Sequence, residues 1–214
     1  MAQESISQQA YNSCFSALEL CPNVISSVNN IGSNSTSCIG CEDDFNFCFS
    51  VENSIWLSFT TNATGGDIQV DFTNIIFENN PGQGSAVQAT LIEAIAPCNA
   101  GSYTQIGNCV AGSTINFSLN ALGLAPNTTY YLVVDGDNTG AGITLPAEFT
   151  LDVAISGTGI ARPIPAVSIT PNSTSICLNE VLTLVANTVN CPNNSSFSWY
   201  VNNVLVAVTS DSLF

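Results

Sequence analysis

The chain has 214 residues, 45% of them apolar and only 8% charged, and its formal net charge is −15, with one basic residue and no His. Lacking His, the usual proton-transfer group and commonest metal ligand, it is a poor fit for serine or cysteine triads and zinc hydrolases. The single cation, Arg162, cannot build the basic surface that nucleic acid or an anionic membrane requires.

A disordered acidic tail does not explain the charge, because the apolar fraction is large enough to build cores. What remains is rich in Asn, Ser, Thr and Gly, the composition of a neutral-polar folded surface. Nine cysteines in sequence of β type point to an oxidising, extracellular compartment, where they act as staples. The start, Met1-Ala-Gln-Glu-Ser, lacks a basic n-region and an apolar h-region, so it is expected to be a mature N-terminus. No apolar run approaches the roughly 20 residues that cross a bilayer, so no direct membrane insertion is expected.

In chain order, the first predicted element is a short helix over residues 7–20. Strands follow. Ile55, Leu57 and Phe59 alternate through Asn53-Ser-Ile-Trp-Leu-Ser-Phe-Thr60, and Ile68, Val70 and Phe72 do the same through Asp67-Ile-Gln-Val-Asp-Phe-Thr73. Residues 86–96 form an apolar strand bounded by turn formers. Ile115, Phe117 and Leu119 share one face of the next strand, residues 129–135 form another, and Phe149, Leu151 and Val153 alternate with Glu148, Thr150 and Asp152. Short strands joined by Gly, Asn and Pro turns favour an all-β sandwich of two sheets over a parallel α/β sheet.

The periodic pattern stops in Ser156-Gly-Thr-Gly-Ile-Ala-Arg-Pro-Ile-Pro165, a short stiff linker. The expected organisation is a disulfide-stapled sandwich over 1–156, a linker over 157–165 and a second domain over 166–214. In that second part Val167 and Ile169, Val181 to Val185, Phe197 to Val201 and Val204 to Val208 read as four strands. Trp199 resembles the buried Trp of an immunoglobulin-like sandwich. Such a domain takes about 100 residues, so the polypeptide is expected to continue beyond Phe214.

Cys98 and Cys109 bracket a turn and are a candidate hairpin staple. Cys14, Cys21, Cys38, Cys41 and Cys48 allow two bonds that pin the N-terminal segment, with one thiol left over and the pairing open. Cys38-Ile-Gly-Cys41 has neither a second Cys-x-x-Cys nor a His beside it, so a structural disulfide is preferred to zinc or redox chemistry. Cys177 and Cys191 flank a strand that holds them roughly 20 Å apart, beyond the ~7 Å a disulfide spans. At least one of them is expected to pair beyond residue 214.

Calcium is the one cofactor that the residue types admit, because it needs only oxygen ligands. Asp135-Gly-Asp-Asn-Thr-Gly140 offers Asp135, Asp137 and Asn138 on a glycine turn. Pro146 stands where an EF-hand places its bidentate Glu, so the favoured reading is an acidic turn and no cofactor. Glu42-Asp43-Asp44 is a second carboxylate cluster, and nothing sets a pair of carboxylates at glycosidase separation. No catalytic residue is assigned. Asn-x-Ser/Thr sequons at Asn34, Asn62, Asn116, Asn127, Asn172, Asn193 and Asn194 fit surface loops. Asp211-Ser-Leu213 has the form of a Bacteroidota O-glycosylation site.

Asn53-Ser-Ile-Trp-Leu-Ser-Phe-Thr60, the Cys98 to Cys109 segment, Asn127-Thr-Thr-Tyr-Tyr-Leu-Val-Val-Asp-Gly-Asp-Asn-Thr-Gly140 and Ala147-Glu-Phe-Thr-Leu-Asp-Val153 occur in that order. Together they resemble the cysteine-containing jelly-roll domain, related to pre-peptidase C-terminal domains, of Bacteroidota surface proteins. Cys14 and Cys21 suit that pattern, whereas Leu57 departs from the Tyr common after the strand Trp. Ser175-Ile-Cys-Leu-Asn-Glu-Val-Leu-Thr-Leu-Val-Ala186 and Phe197-Ser-Trp-Tyr-Val-Asn202 resemble the opening strands of Ig-like or PKD-like repeats in the same proteins.

The resemblance implies a jelly-roll-like sandwich followed by an incomplete Ig-like one. It also implies the N-terminal part of a large adhesin, secreted by the type IX route and displayed at the cell surface for attachment or gliding. Implied partners are downstream domains of the same polypeptide, the secretion and anchoring machinery, and a glycan or surface ligand. The alternative is an accessory binding module of a large secreted hydrolase. Trp56, Trp199, Tyr103, Tyr130 and Tyr131 sit in strand patterns and name no carbohydrate platform. Because Arg162 precedes Pro163 in a chain with no other basic residue, trypsin is expected to leave the folded protein uncut. Rapid nicking at residue 162 in a gel time course would contradict this.

Overall fold

A computed structural model describes residues 11–34, 41–45, 47–161, 166–171, 184–189, 197–201 and 204–209. They divide into two compact units, Met1–Arg162 and Pro163–Phe214. The fold is all-β. The first unit contains β1 (Leu18–Glu19), β2 (Ile25–Asn29), β3 (Ile55–Thr60), β4 (Gly66–Phe77), β5 (Val87–Ala94), β6 (Tyr103–Ser113), β7 (Phe117–Leu124), β8 (Thr129–Gly136) and β9 (Phe149–Gly157). They form two sheets, in the orders β1-β3-β8-β5-β6 and β2-β9-β4-β7. From β2 to β9, consecutive strands mostly alternate between the sheets, which is the double Greek-key order of a jelly roll. Apart from the parallel pair of β1 with β3, neighbours run antiparallel.

Period-two alternation explains the core. Ile55, Leu57 and Phe59 of β3 and Leu132 and Val134 of β8 meet Ile68, Val70 and Phe72 of β4 and Leu151 and Val153 of β9 in one apolar cluster. Successive side chains on a strand point to opposite faces, so one apolar residue in two fills the space between the sheets. Each such side chain stabilises the fold by about 1.5–3 kcal/mol on burial.

Three expectations are corrected. Among the described residues of 7–20 there is no α-helix: Cys14–Ser16 form one 3-10 turn and Leu18–Glu19 join the sheet beside β3. The turn is capped by the Ser13 hydroxyl, which accepts from Phe15 N, and the following backbone is drawn into strand pairing. Ile115 lies in the turn before β7 and is exposed, because β7 begins only at Phe117. The first unit also extends past residue 157: Ile160 packs into the core, and Ala161 N donates to Thr60 O.

The second unit contains β10 (Ala166–Pro171) paired with β11 (Leu184–Val189), and β12 (Phe197–Val201) paired with β13 (Val204–Thr209), both antiparallel. Trp199 is buried, while Val204, Leu205, Val206 and Val208 are exposed. Cys38, Cys177 and Cys191, and the expectations attached to them, lie outside the described residues.

Candidate functional site

The outer face of the five-stranded sheet carries a second, smaller core. Trp56, Ile92 and Val133 point away from the inter-sheet cluster and bury with Cys14; Phe45, Tyr103 and Tyr131 pack around them. Trp56 is fully buried, and its ring lies 6.0 Å from Tyr103 and 6.3 Å from both Phe45 and Tyr131. The cover comes from two segments that precede β3. Tyr11 O accepts from Trp56 N at 2.8 Å, while Asp43 Oδ1 accepts from Trp56 Nε1 at 3.3 Å and from the Ser54 hydroxyl at 3.0 Å.

Disulfides fasten this cover to the β5–β6 hairpin. Cys14 bonds Cys98 and Cys48 bonds Cys109, across sequence separations of 84 and 61. The expected Cys98–Cys109 staple is therefore corrected. Cys98 sits in the loop after β5, whereas Cys109 lies opposite Thr90, six residues into β6 and about 20 Å along the strand. Cys21 and Cys41 are also disulfide-bonded. Glu42 lies within 4.8 Å of the Cys14 and Cys98 sulfurs, but those sulfurs are joined to each other and are not thiolate ligands. Glu42 Oε2 accepts from Cys14 N at 2.8 Å and the Ser13 hydroxyl at 3.0 Å. Burial raises its pKa against those two hydrogen bonds. The acidic cluster at 42–44 thus holds the cover in place. Burial, and then the nearby Glu42 and Asp43 carboxylates, push the Tyr103 phenol above its ordinary pKa.

The turn considered for calcium uses its carboxylates internally. Asp135 is fully buried: Oδ1 accepts from Glu52 N at 3.1 Å and Asn53 N at 2.8 Å, and Oδ2 accepts from Gln88 Nε2 at 3.2 Å. Burial, together with its hydrogen bond to Glu52, raises its pKa well above the carboxylate range. Asp137 accepts from Thr139 N at 2.9 Å and from the Thr139 hydroxyl at 2.7 Å, an Asx-type turn. Asn138 is exposed. Among the described residues, no group of three acidic or thiol ligands includes Asp135 or Asp137.

A polar cleft of about 690 Å³ opens where three loops meet, lined by Gly32, Ser33, Asn34, Asn53, Asn80, Gln83, Leu145, Pro146 and Glu148. Backbone hydrogen bonds knit those loops together: Gly84 N donates to Leu145 O at 3.0 Å, Thr144 N to Gly82 O at 2.8 Å, and Glu78 N to Glu148 O at 2.8 Å. Asn30 and Asn53 form the buried base. Asn30 accepts from Phe149 N at 2.7 Å and donates to Ala147 O at 2.9 Å. Asn53 accepts from Gly136 N at 3.0 Å and donates to the same Ala147 O at 3.0 Å. Two amides thus act as surrogate backbone where strand pairing has ended.

Above this base, Gly32 takes a positive φ of 74°, a conformation open to a residue without Cβ. Its N–H donates to Glu148 Oε1 at 2.9 Å, while Gln83 Nε2 donates to Glu148 Oε2 at 3.0 Å and Asn80 Nδ2 to Gln83 Oε1 at 3.0 Å. Ser33 is buried, yet among the described residues its hydroxyl has no hydrogen-bond partner. Replacing Asn30 by Ala strands the buried Phe149 N–H and leaves the Ala147 carbonyl with Asn53 Nδ2 alone. We expect a stability loss of about 2 kcal/mol, measured as a lowered urea midpoint at unchanged m-value.

Of these cleft residues the sequence marks Asn34 as a sequon, Pro146 as the residue that breaks an EF-hand pattern and Glu148 as an outward strand position, and joins none of them to a common site. They come from segments around positions 32, 53, 82 and 147, none of which carries a spacing motif. The only local signals are turn formers such as Pro81-Gly82 and Pro146. Comparisons of the chain with family models, with curated proteins and with solved structures give no match.

Proposed function

We propose that this chain is a non-catalytic binding part of a large secreted surface protein, an adhesin of the Bacteroidota type that its motifs resemble. Attachment then runs through the loop-built cleft of the first unit. The observation that supports this reading most directly is the cleft itself, a pocket of ligand size. Its polar side chains are held by a hydrogen-bonded frame while one buried hydroxyl is left unspent.

Disulfides suit the same setting: six of the described cysteines are oxidised, which accords with an extracellular location. Among the described residues no helix is long and apolar enough to cross a membrane. Adhesion also benefits from a rigid platform, and preorganised loops lose less entropy on binding. The test is a bead assay. Beads carrying the folded, oxidised chain should adhere to bacterial cell surfaces or insoluble polysaccharides more than beads carrying a different β-sandwich of matched charge. Equal adhesion by the two would end the adhesin reading.

A further inference from the structure

The cleft's hydrogen-bonding inventory says what it can hold. Among the described residues no cationic side chain lines it, and the whole chain carries −15. Among its lining side chains Glu148 alone is charged. The Glu148 carboxylate uses one bond per oxygen, to Gly32 N and Gln83 Nε2, and each oxygen keeps a lone pair. Asn80 and Asn34 each use one amide N–H, on Gln83 Oε1 and Gly32 O respectively, which leaves each amide a second N–H as well as its acceptor oxygen. A ligand carboxylate, sulfate or phosphate would be brought against the Glu148 carboxylate, with no Arg or Lys among the lining residues to offset its desolvation.

Uncharged hydroxyls suit this mixture of amide N–H donors and oxygen acceptors, since each both donates and accepts. Ser33 supplies the complementary group. Its hydroxyl is among the few buried polar atoms left without a partner among the described residues, and leaving one unpaired costs about 1–3 kcal/mol in a folded protein. Leu145, half exposed, and Pro146 line the same cleft and offer an apolar contact beside the polar groups. A sugar ring presents this combination, with C–H faces against hydrophobic atoms and hydroxyls at the rim.

We propose that the cleft binds an uncharged saccharide and discriminates against acidic ones, with Ser33 as a specificity-determining residue that hydrogen-bonds a ligand hydroxyl. This rests on the binding reading above and names the ligand class of that same site. Long-range repulsion from the net charge acts in the same direction, by keeping polyanions from approaching.

The test is calorimetric titration of the folded, oxidised chain with a fixed panel. Its neutral members are cello-, malto-, galacto- and chito-oligosaccharides; its acidic members are oligogalacturonate and heparin fragments; its cationic member is a chitosan oligomer. At least one neutral member should bind, with an affinity that does not change between low and high salt. Acidic members should give no heat of binding. Ser33→Ala should weaken the neutral ligand about fivefold, one hydrogen bond's worth.

The same substitution distinguishes a ligand role from a structural one. Deleting an orphaned hydroxyl should leave the urea midpoint unchanged or raised, whereas a hidden structural role would lower it. Binding of an acidic or cationic member in preference to the neutral ones would overturn the proposal. So would no binding by any member, or a neutral ligand indifferent to Ser33→Ala. If beads carrying the chain adhere but neutral saccharides do not compete, the ligand class falls while the adhesin reading stands.

Discussion

Replacing Cys48 and Cys109 together by Ala is expected to cost about 4 kcal/mol of stability, because opening a 61-residue loop returns that much entropy to the unfolded chain in the chain-entropy treatment. The Cys14–Cys98 pair, with its 84-residue separation, should cost slightly more by the same relation. These losses are large beside the ~5–15 kcal/mol of net stability typical of a folded domain.

Their location gives them a second signature. The two bonds hold the segments that cover Trp56, so reduction should let water reach the indole while the inter-sheet core stays intact. In a Trp199→Phe background, Trp56 is the only indole left. A phosphine reductant is then expected to shift its emission to longer wavelength at a denaturant concentration where far-ultraviolet dichroism is unchanged. Simultaneous loss of both signals would mean that the cover and the sandwich unfold as one unit.

Asp135→Ala is the second large effect, about 3 kcal/mol. It deprives the buried Asn53 N–H and the half-buried Glu52 N–H of their acceptor at once and leaves the Gln88 amide only Glu52 Oε2, at roughly 1–3 kcal/mol per stranded group with partial relaxation. Asp135→Asn should behave differently, falling within about 1 kcal/mol of the parent at neutral pH, because its carbonyl keeps both backbone donors, its NH2 faces Glu52, and the Gln88 amide, which loses its bond to Oδ2, keeps Glu52 Oε2 as an acceptor.

The pH dependence follows from the raised pKa of Asp135, set first by burial and then by its hydrogen bond to Glu52. A carboxyl whose folded pKa exceeds its unfolded value binds more protons in the native state. Its contribution is fully present below the unfolded value and is lost as pH rises through the folded one. The parent protein should therefore gain stability as pH falls from neutral toward 5, with Glu42 adding to the trend in the same direction. Exposed Asp152, lowered by its bonds to Ser27 and Asn74, acts oppositely, and only as pH falls through its own folded value. Asp135→Asn should flatten the slope between neutral pH and pH 5. An unchanged slope in urea titrations of the variant would show that Asp135 does not set it.

The reach of sequence reasoning is clearest on β3. Alternation placed Ile55, Leu57 and Phe59 on one face, and all three lie in the core. The same alternation put Trp56 on the other face, and its burial there needs a cover that no strand pattern supplies. Trp56 is buried because residues from far upstream fold over it and are tied down by cysteines from far downstream. The cysteine content signalled stapling, but Cys98 and Cys109 looked like partners only while the turn between them was treated in isolation. Once β5 and β6 pair in register, that turn carries the two cysteines apart.

Asp135 shows the same limit. Beside Gly136 and Asp137 it has the sequence of an exposed acidic turn, and only the approach of residues 52 and 53 encloses it. The all-β class and the faces of the long strands were legible in the residues, because period-two alternation is a property of each strand alone. The disulfide partners, the burial of Trp56 and Asp135, and the cleft around Ser33 and Glu148 all depend on jelly-roll crossings. The disulfides, the Asp135 enclosure and the cleft join positions 61 to 119 residues apart, and no local pattern records where they meet.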